Sequence, residues 1–163
     1  MPHPNALVIE RLFAALNQHD HGAMAACYRD AAVFHDIAFH FEDRSGIHDM
    51  WRMICLDSAI QVELQHVEAD EYQGEAIVVD RYRFGRRRRP VVNRITSRFW
   101  FEDGRIKKQV DDCDARAWAA QALGGVPGWI AGRSRRVRRA AAWWMLHQYL
   151  RHHPSAGQPL RIA

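Results

Sequence analysis

The chain has 163 residues, 48% of them apolar, and a formal net charge of +4. That charge is divided unevenly: residues 1–114 carry 15 basic and 19 acidic side chains, whereas residues 115–163 carry eight Arg and no acid. A nucleic-acid binder would not confine every carboxylate to its first two-thirds, so no nucleic-acid partner is expected for the main body. The length fits one domain with its own core plus a short extension. The uncharged run Ala140 to Leu150 is too short to span a bilayer, and Glu10 and Arg11 interrupt the place where a signal peptide would be apolar. A soluble, cytoplasmic protein is therefore expected. Cys27, Cys55 and Cys113 form no CxxC pair, which argues against a disulfide framework or a zinc knuckle.

In chain order, Asn5 to Gln18 places Leu7, Val8, Leu12, Phe13, Ala15 and Leu16 near the i, i+3, i+4, i+7 stripe of an amphipathic helix, with Asn5 as its N-cap. A second short helix follows Asp20, with Met24, Cys27 and Tyr28 inward. The segment AAVFHDI then reads as a strand, and Ser45–Gly46 opens a helix from Ile47 to Leu56 with Ile47, Met50, Trp51 and Ile54 on one face. From Ala59 the period becomes two, broken by turn residues at 72–74, 85–90 and 103–104. Four strands are predicted, over 60–70, 75–84, 91–101 and 105–113, with Asp103–Gly104 marking a tight hairpin.

Alternation assigns the faces of these strands. Ala76, Val78, Asp80, Tyr82 and Phe84 oppose a face that holds Arg81 and Arg83, so Asp80 points inward; Ile95, Ser97, Phe99 and Phe101 point inward by the same test. On the last strand pattern alone slightly favours Asp112 over Asp111. Helices first and an antiparallel meander afterwards predict an α+β fold, a curved antiparallel sheet with helices packed on one face, plus a C-terminal basic helix. The expected divisions are a cone domain over 1–123, a Gly/Pro linker over 124–133, an Arg-rich amphipathic helix over 134–153 and a flexible tail over 154–163.

Four stretches in this order and spacing resemble the nuclear transport factor 2-like superfamily, in its SnoaL-like polyketide cyclase, ketosteroid isomerase and limonene epoxide hydrolase branches. They are RLFAALNQHD (11–20), VFHD (33–36) with RSG (44–46), FWFEDGRI (99–106), and DDCD followed by WAAQALG (111–124). The resemblance implies a cone-shaped α+β roll, a curved antiparallel sheet wrapped around the N-terminal helices and a blind apolar pocket. It places Asp36 where the isomerases carry their general base, and Asp80 and Asp111 where the epoxide hydrolases carry paired acids; for the last strand the alignment selects Asp111 over Asp112. The isomerase oxyanion donors fall on Leu12 and Ser97, and the bridging Arg of the hydrolases falls near Val78.

Asp36, Asp80, Asp111 and His35 are thus the candidate catalytic residues, with Phe13, Tyr28, Trp51, Tyr82, Ser97 and Phe99 as candidate ligand contacts. Structural alternatives stand beside these: a capping role for Asp36, an ion pair for Asp80, plain core for the aromatics, and helix capping for Asp114. The His spacings match no metal motif, so neither a metal nor a cofactor is expected. The run Arg86 to Arg89 reads as a solvated hairpin tip. On the tail helix, Val137, Ala141, Trp144, Met145 and Leu150 are placed loosely on one side. Its Arg cluster opposes the helix dipole, so a docking role is expected, within the molecule or across a homodimer first and on an anionic membrane face second. The functional expectation is cofactor-independent acid/base chemistry on a small apolar ring-containing ligand; the alternative is a non-catalytic ligand-binding or dimeric assembly module of the same fold.

Overall fold

A computed structural model describes residues 1–155. The helices α1 (Pro4–Asn17), α2 (His21–Ala26) and α3 (Arg44–Ile54) pack on a six-stranded sheet made of β1 (Tyr28–His35), β2 (His40–Phe41), β3 (Gln61–Ala69), β4 (Gln73–Phe84), β5 (Arg89–Glu102) and β6 (Arg105–Asp112). The strand order is β2-β1-β6-β5-β4-β3. The four-strand meander lies where the alternation puts it. The sheet is nevertheless mixed, because β1 pairs in parallel with β6. Three further helices follow: α4 (Ala115–Ala122), α5 (Gly125–Arg133) and α6 (Arg135–His152).

The core lies between sheet and helices. Ile9, Leu12 and Phe13 of α1, Ile47, Met50 and Trp51 of α3, and Val78, Phe99 and Ile106 of the sheet are buried together. Removing such side chains from water is the main stabilising term. Capping follows local chemistry: Asp20 and Asp114 accept from the first-turn N–H groups of α2 and α4. The N-cap of α1 is His3, not Asn5, which is buried and donates its amide to the carbonyls of Asp70 and Glu71 at 2.9 and 3.0 Å, tying α1 to the β3–β4 turn. Asp103 and Gly104 both have positive φ, 51° and 68°, as a tight two-residue hairpin turn requires.

Two expectations about the C-terminal part change. Residues 125–133 form a helix rather than a linker, and its inward residues are small. A Cβ on Gly128 would lie 2.7 Å from the carbonyl oxygen of Ala119, so only glycine lets α5 lie this close to α4. On α6 the buried face is Ala142 and Leu146 with Arg138 in line, while Val137 and Trp144 are 41% and 63% exposed. The register differs because the small Ala142 fits against the body where Trp144 would not. Trp143 meets Phe39 and Phe41 edge-on, and Arg52 lies over the Tyr149 ring. Of the predicted tail, only residues 154–155 fall within the described residues.

Candidate active site

A cavity of about 860 Å³ opens between the sheet, α3 and the C-terminal helices. Phe13, Trp51, Val78, Ile95 and Met145 make its wall largely apolar, and Asp36, Asp80 and Asp111 face it. Each acid arrives there by the sheet's geometry. Asp80 follows Ala76 and Val78 on the inward face of β4 and stands opposite Asn93 in the β4–β5 register. Asp111 stands opposite Ser97, and Ile106 opposite Phe101, but Lys108 stands opposite Trp100. Lys107 is therefore an extra residue on β6, a bulge that flips the parity after Ile106 and turns Gln109 and Asp111 inward together. Asp112 is exposed. Asp36 immediately follows β1, where its Oδ1 accepts from the backbone N–H groups of Ala38 and Phe39 at 2.6 and 2.5 Å.

Asp111 is the best supported of the three acids by hydrogen bonds. Trp51 Nε1 donates to the Tyr28 hydroxyl oxygen at 3.3 Å, so the Tyr28 proton is free to go to Gln109 Oε1 at 2.6 Å. That fixes the Gln109 amide with its Nε2 toward Asp111, 2.9 and 3.0 Å from the two carboxylate oxygens. The relay is buried from end to end, and it favours the ionised form of Asp111. Asp80 lacks such support: its Oδ1 is buried without a hydrogen-bond partner. The Ser97 hydroxyl is also buried with no partner in good hydrogen-bonding geometry, although it neighbours Asp111 across the ladder.

Electrostatics separate these acids from surface carboxylates. Burial, and then the charge of Asp111, push Asp80 up to about 7. Burial likewise pushes Asp111 up to about 7, with Gln109 pulling the other way and Asp36 adding repulsion. Asp36 is also raised by burial, against its two backbone donors and the nearby Arg138. Near neutral pH each of the two acids is therefore poised between its charged and neutral forms. Both keep some accessible surface only because they line the cavity.

Of the aromatic candidates, Phe13, Trp51 and Tyr82 line the cavity; Tyr28, Phe99 and Ser97 lie behind the wall, Phe99 as core against Phe13. The Tyr82 oxygen accepts from Trp118 Nε1 at 2.6 Å, which leaves its own proton to donate. His35 does not join the acids. It faces α6, where Arg135 donates to its Nε2 at 2.6 Å, and its Nδ1 lies 3.1 Å from His40 Nδ1. A guanidinium can only donate, so Nε2 must accept and the ring is held neutral, as the lowering of its pKa by burial and Arg135 agrees.

Two residues at the site were not singled out from sequence. Gln109 shares the parity of Asp111, and that i, i+2 pairing was its only signal. Arg138 comes from α6 into the cavity wall, where Nε donates to the Ile37 carbonyl at 3.1 Å and Nη1 to that of Ala131 at 2.7 Å. No carboxylate pairs with it among the described residues. Its i, i+4, i+8 spacing to Ala142 and Leu146 was the signal available.

A family model for the SnoaL-like domain matches residues 9–109, more than half of the chain. The chain belongs to the SnoaL-like domain family. Among solved structures, the chain is similar in fold to an LEH-like epoxide hydrolase from M. tuberculosis, with a TM-score of 0.62 at 18% identity over 78% of this chain and 95% of that one. An epoxide hydrolase/cyclase-like enzyme of pyran ring formation in the polyether salinomycin gives 0.60 at 13% identity, over 67% and 89%. A protein of ketosteroid isomerase-like fold from Catenulispora acidiphila, solved with trimethylamine, gives 0.63 at 12%, over 71% and 91%. At these identities the likeness is one of fold. No curated protein matches. The family match ends before α4, so α5, α6 and Arg138 lie outside it.

Proposed function

We propose that this SnoaL-like protein is an enzyme that moves protons on a small apolar, ring-sized ligand held in the cavity, without a cofactor. The observation that carries the reading is the pair Asp80 and Asp111, both raised to about 7 and both facing one apolar cavity. A general acid and a general base work best when their pKa values lie near the working pH. Asp111, with the Gln109 donors behind it, is the base. Asp80, whose buried oxygen lacks a donor, carries the proton and delivers it. Tyr82 and Arg138 supply the donor and the positive charge for oxygen that becomes anionic, the task for which Leu12 and Ser97 are not equipped. Asp36, held by two backbone donors, positions the loop Ile37–Phe39 against Arg138 and adds to the negative field at Asp111.

Such a pair suits epoxide opening, ring closure and double-bond migration alike, because each needs a proton removed at one atom and supplied at another. The test is an NMR turnover screen with apolar cyclic epoxides, hydroxy-epoxides and unsaturated cyclic ketones, run on the parent protein, Asp80→Asn and Asp111→Asn. Turnover lost in both variants is the expected result. Turnover of any found substrate that survives both substitutions refutes the assignment. Saturable binding of these compounds with no turnover in the parent would favour the non-catalytic binding module.

A further inference from the structure

We propose that the outward face of α5 and α6 docks on an anionic lipid bilayer and sets the mouth of the cavity against the membrane. The first observation is that α5 is inside-out. Its small residues Gly128, Ala131 and Gly132 are buried against α4, while Val126, Trp129 and Ile130 are 70%, 60% and 42% exposed. With Arg133 these occupy i, i+3, i+4 and i+7, the spacing of a single helical stripe, turned to solvent. Arg133 lies 4.5 Å over the Trp129 ring, so the stripe presents an aromatic and a cation together, as side chains at a membrane interface do.

The stripe is continuous with the cavity rim. Five exposed apolar residues line the cavity as well: Leu56, Val126, Ile130, Val137 and Trp144. Isolated exposed apolar residues are ordinary, but a ring of them around one opening is an interaction surface.

Charge selects the occupant. If the Arg-rich tail existed to dock on the acidic body, its arginines would meet carboxylates. Among the described residues none from Arg116 onward forms an ion pair with a carboxylate; α6 meets the body through apolar contacts and through Arg135 and Arg138, which donate to the neutral groups His35 and the Ile37 carbonyl. Arg136 and Arg151 share the outward side of α6 with Trp144, and Arg86 and Arg87 stand exposed at the hairpin tip beside the cavity residues Gly85 and Arg88. A surface of Trp, Ile, Val and Arg, whose rim acid Asp57 is already paired with Arg88, suits a negatively charged bilayer, and the net charges of −4 for residues 1–114 and +8 for 115–163 orient the molecule toward it. No described helix is long and apolar enough to cross a membrane, so contact is peripheral. An apolar ligand then enters the cavity without crossing water, a consequence that rests on the proposed function where the docking itself does not.

The experiment is co-sedimentation of the full chain with phosphatidylcholine vesicles, pure or containing about one-third phosphatidylglycerol, at about 0.1 M salt, where surface charges still act over roughly 10 Å. Binding to the anionic vesicles alone, with a blue shift of Trp emission, is expected. The double variant Trp129→Ser/Ile130→Ser should lower partition about tenfold or more. Arg136→Glu/Arg151→Glu should lower it about fivefold or more and remove the preference for anionic lipid; circular dichroism checks that each variant is folded. Equal sedimentation with both vesicle types, none with either, or anionic binding that survives the Trp129/Ile130 change overturns the proposal. So does a concentration-dependent dimer in light scattering that the same double variant makes monomeric, since a second copy would then cover the stripe.

Discussion

Asp80→Asn should make the protein more stable above neutral pH while abolishing turnover. Asp80 ionises at about 7 in the fold against 3.8 for the free side chain, so the fully ionised fold bears a penalty on the order of 4 kcal/mol at 1.36 kcal/mol per unit. Water entering the cavity reduces this to about 2 kcal/mol as a working figure. The sign follows from proton counting. Between the unfolded value near 3.8 and the folded value of about 7, the native state holds more protons than the unfolded one, so stability falls as pH rises and levels off above about 7. The amide that replaces the carboxyl cannot ionise, and without an Asp80 charge Asp111 loses its nearest repulsive partner on β4. In urea melts at about pH 8, with a slope of roughly 2 kcal/mol per molar, the variant's midpoint should lie about 1 M above the parent's. At about pH 3, where the parent acid is largely protonated in both states, the gap should close. A gap that stays constant with pH, or a parent whose stability rises between about pH 4 and 7, would refute the reading of a strained buried pair.

Gln109→Leu removes both donors from Asp111 and strands the Tyr28 proton; the acidic limb of the pH–rate profile should move up by about one unit or more, and stability should fall by about 1–3 kcal/mol. An unmoved profile would separate Gln109 from the chemistry. Arg138→Met keeps the stem but removes the charge and both bonds to the Ile37 and Ala131 carbonyls, and should cost about tenfold or more in kcat together with about 1–3 kcal/mol of stability; unchanged kcat in a folded variant would separate Arg138 from the chemistry. Gly128→Ala forces a Cβ against the Ala119 carbonyl at 2.7 Å and should cost about 1–3 kcal/mol, with amide exchange rising first in α5.

The strands and the identity of the inward residues on β4 and β5 were legible because each alternates against arginines that cannot be buried unpaired. The last strand was not legible by alternation, since the extra residue at Lys107 reverses the parity between Ile106 and Gln109, and only the alignment of the DDCD segment put Asp111 on the right face. Gln109 was overlooked because a lone amide on an ambiguous strand carries no signal until its partners Tyr28 and Asp111 are placed beside it. The Gly-rich stretch 124–133 read as a linker because glycine and proline usually break structure; here Gly128 and Gly132 serve close helix packing, and large residues face outward, which inverts the pattern that marks a helix. His35 was drawn to the site by adjacency to Asp36, yet neighbours on a strand point to opposite faces.

The absence of acid from residues 115–155 has a physical reason at each surface of the roof those residues build. On the inner side, Asp80 and Asp111 are already raised by burial, with the charge of Asp111 adding to the shift of Asp80 and that of Asp36 to the shift of Asp111. A further carboxylate on α6 would raise them again and would neutralise Arg138, the cation that the cavity draws from the tail. On the outer side, an acid among Trp129, Arg133 and Arg136 would be repelled by an anionic bilayer and would pair with the arginines that meet it. A helix serving only to cap the core tolerates acids on its solvent face and gains solubility from them. The whole acid-free segment is therefore better explained by two opposed electrostatic tasks than by packing, which engages only Ala142, Leu146 and their neighbours on α6.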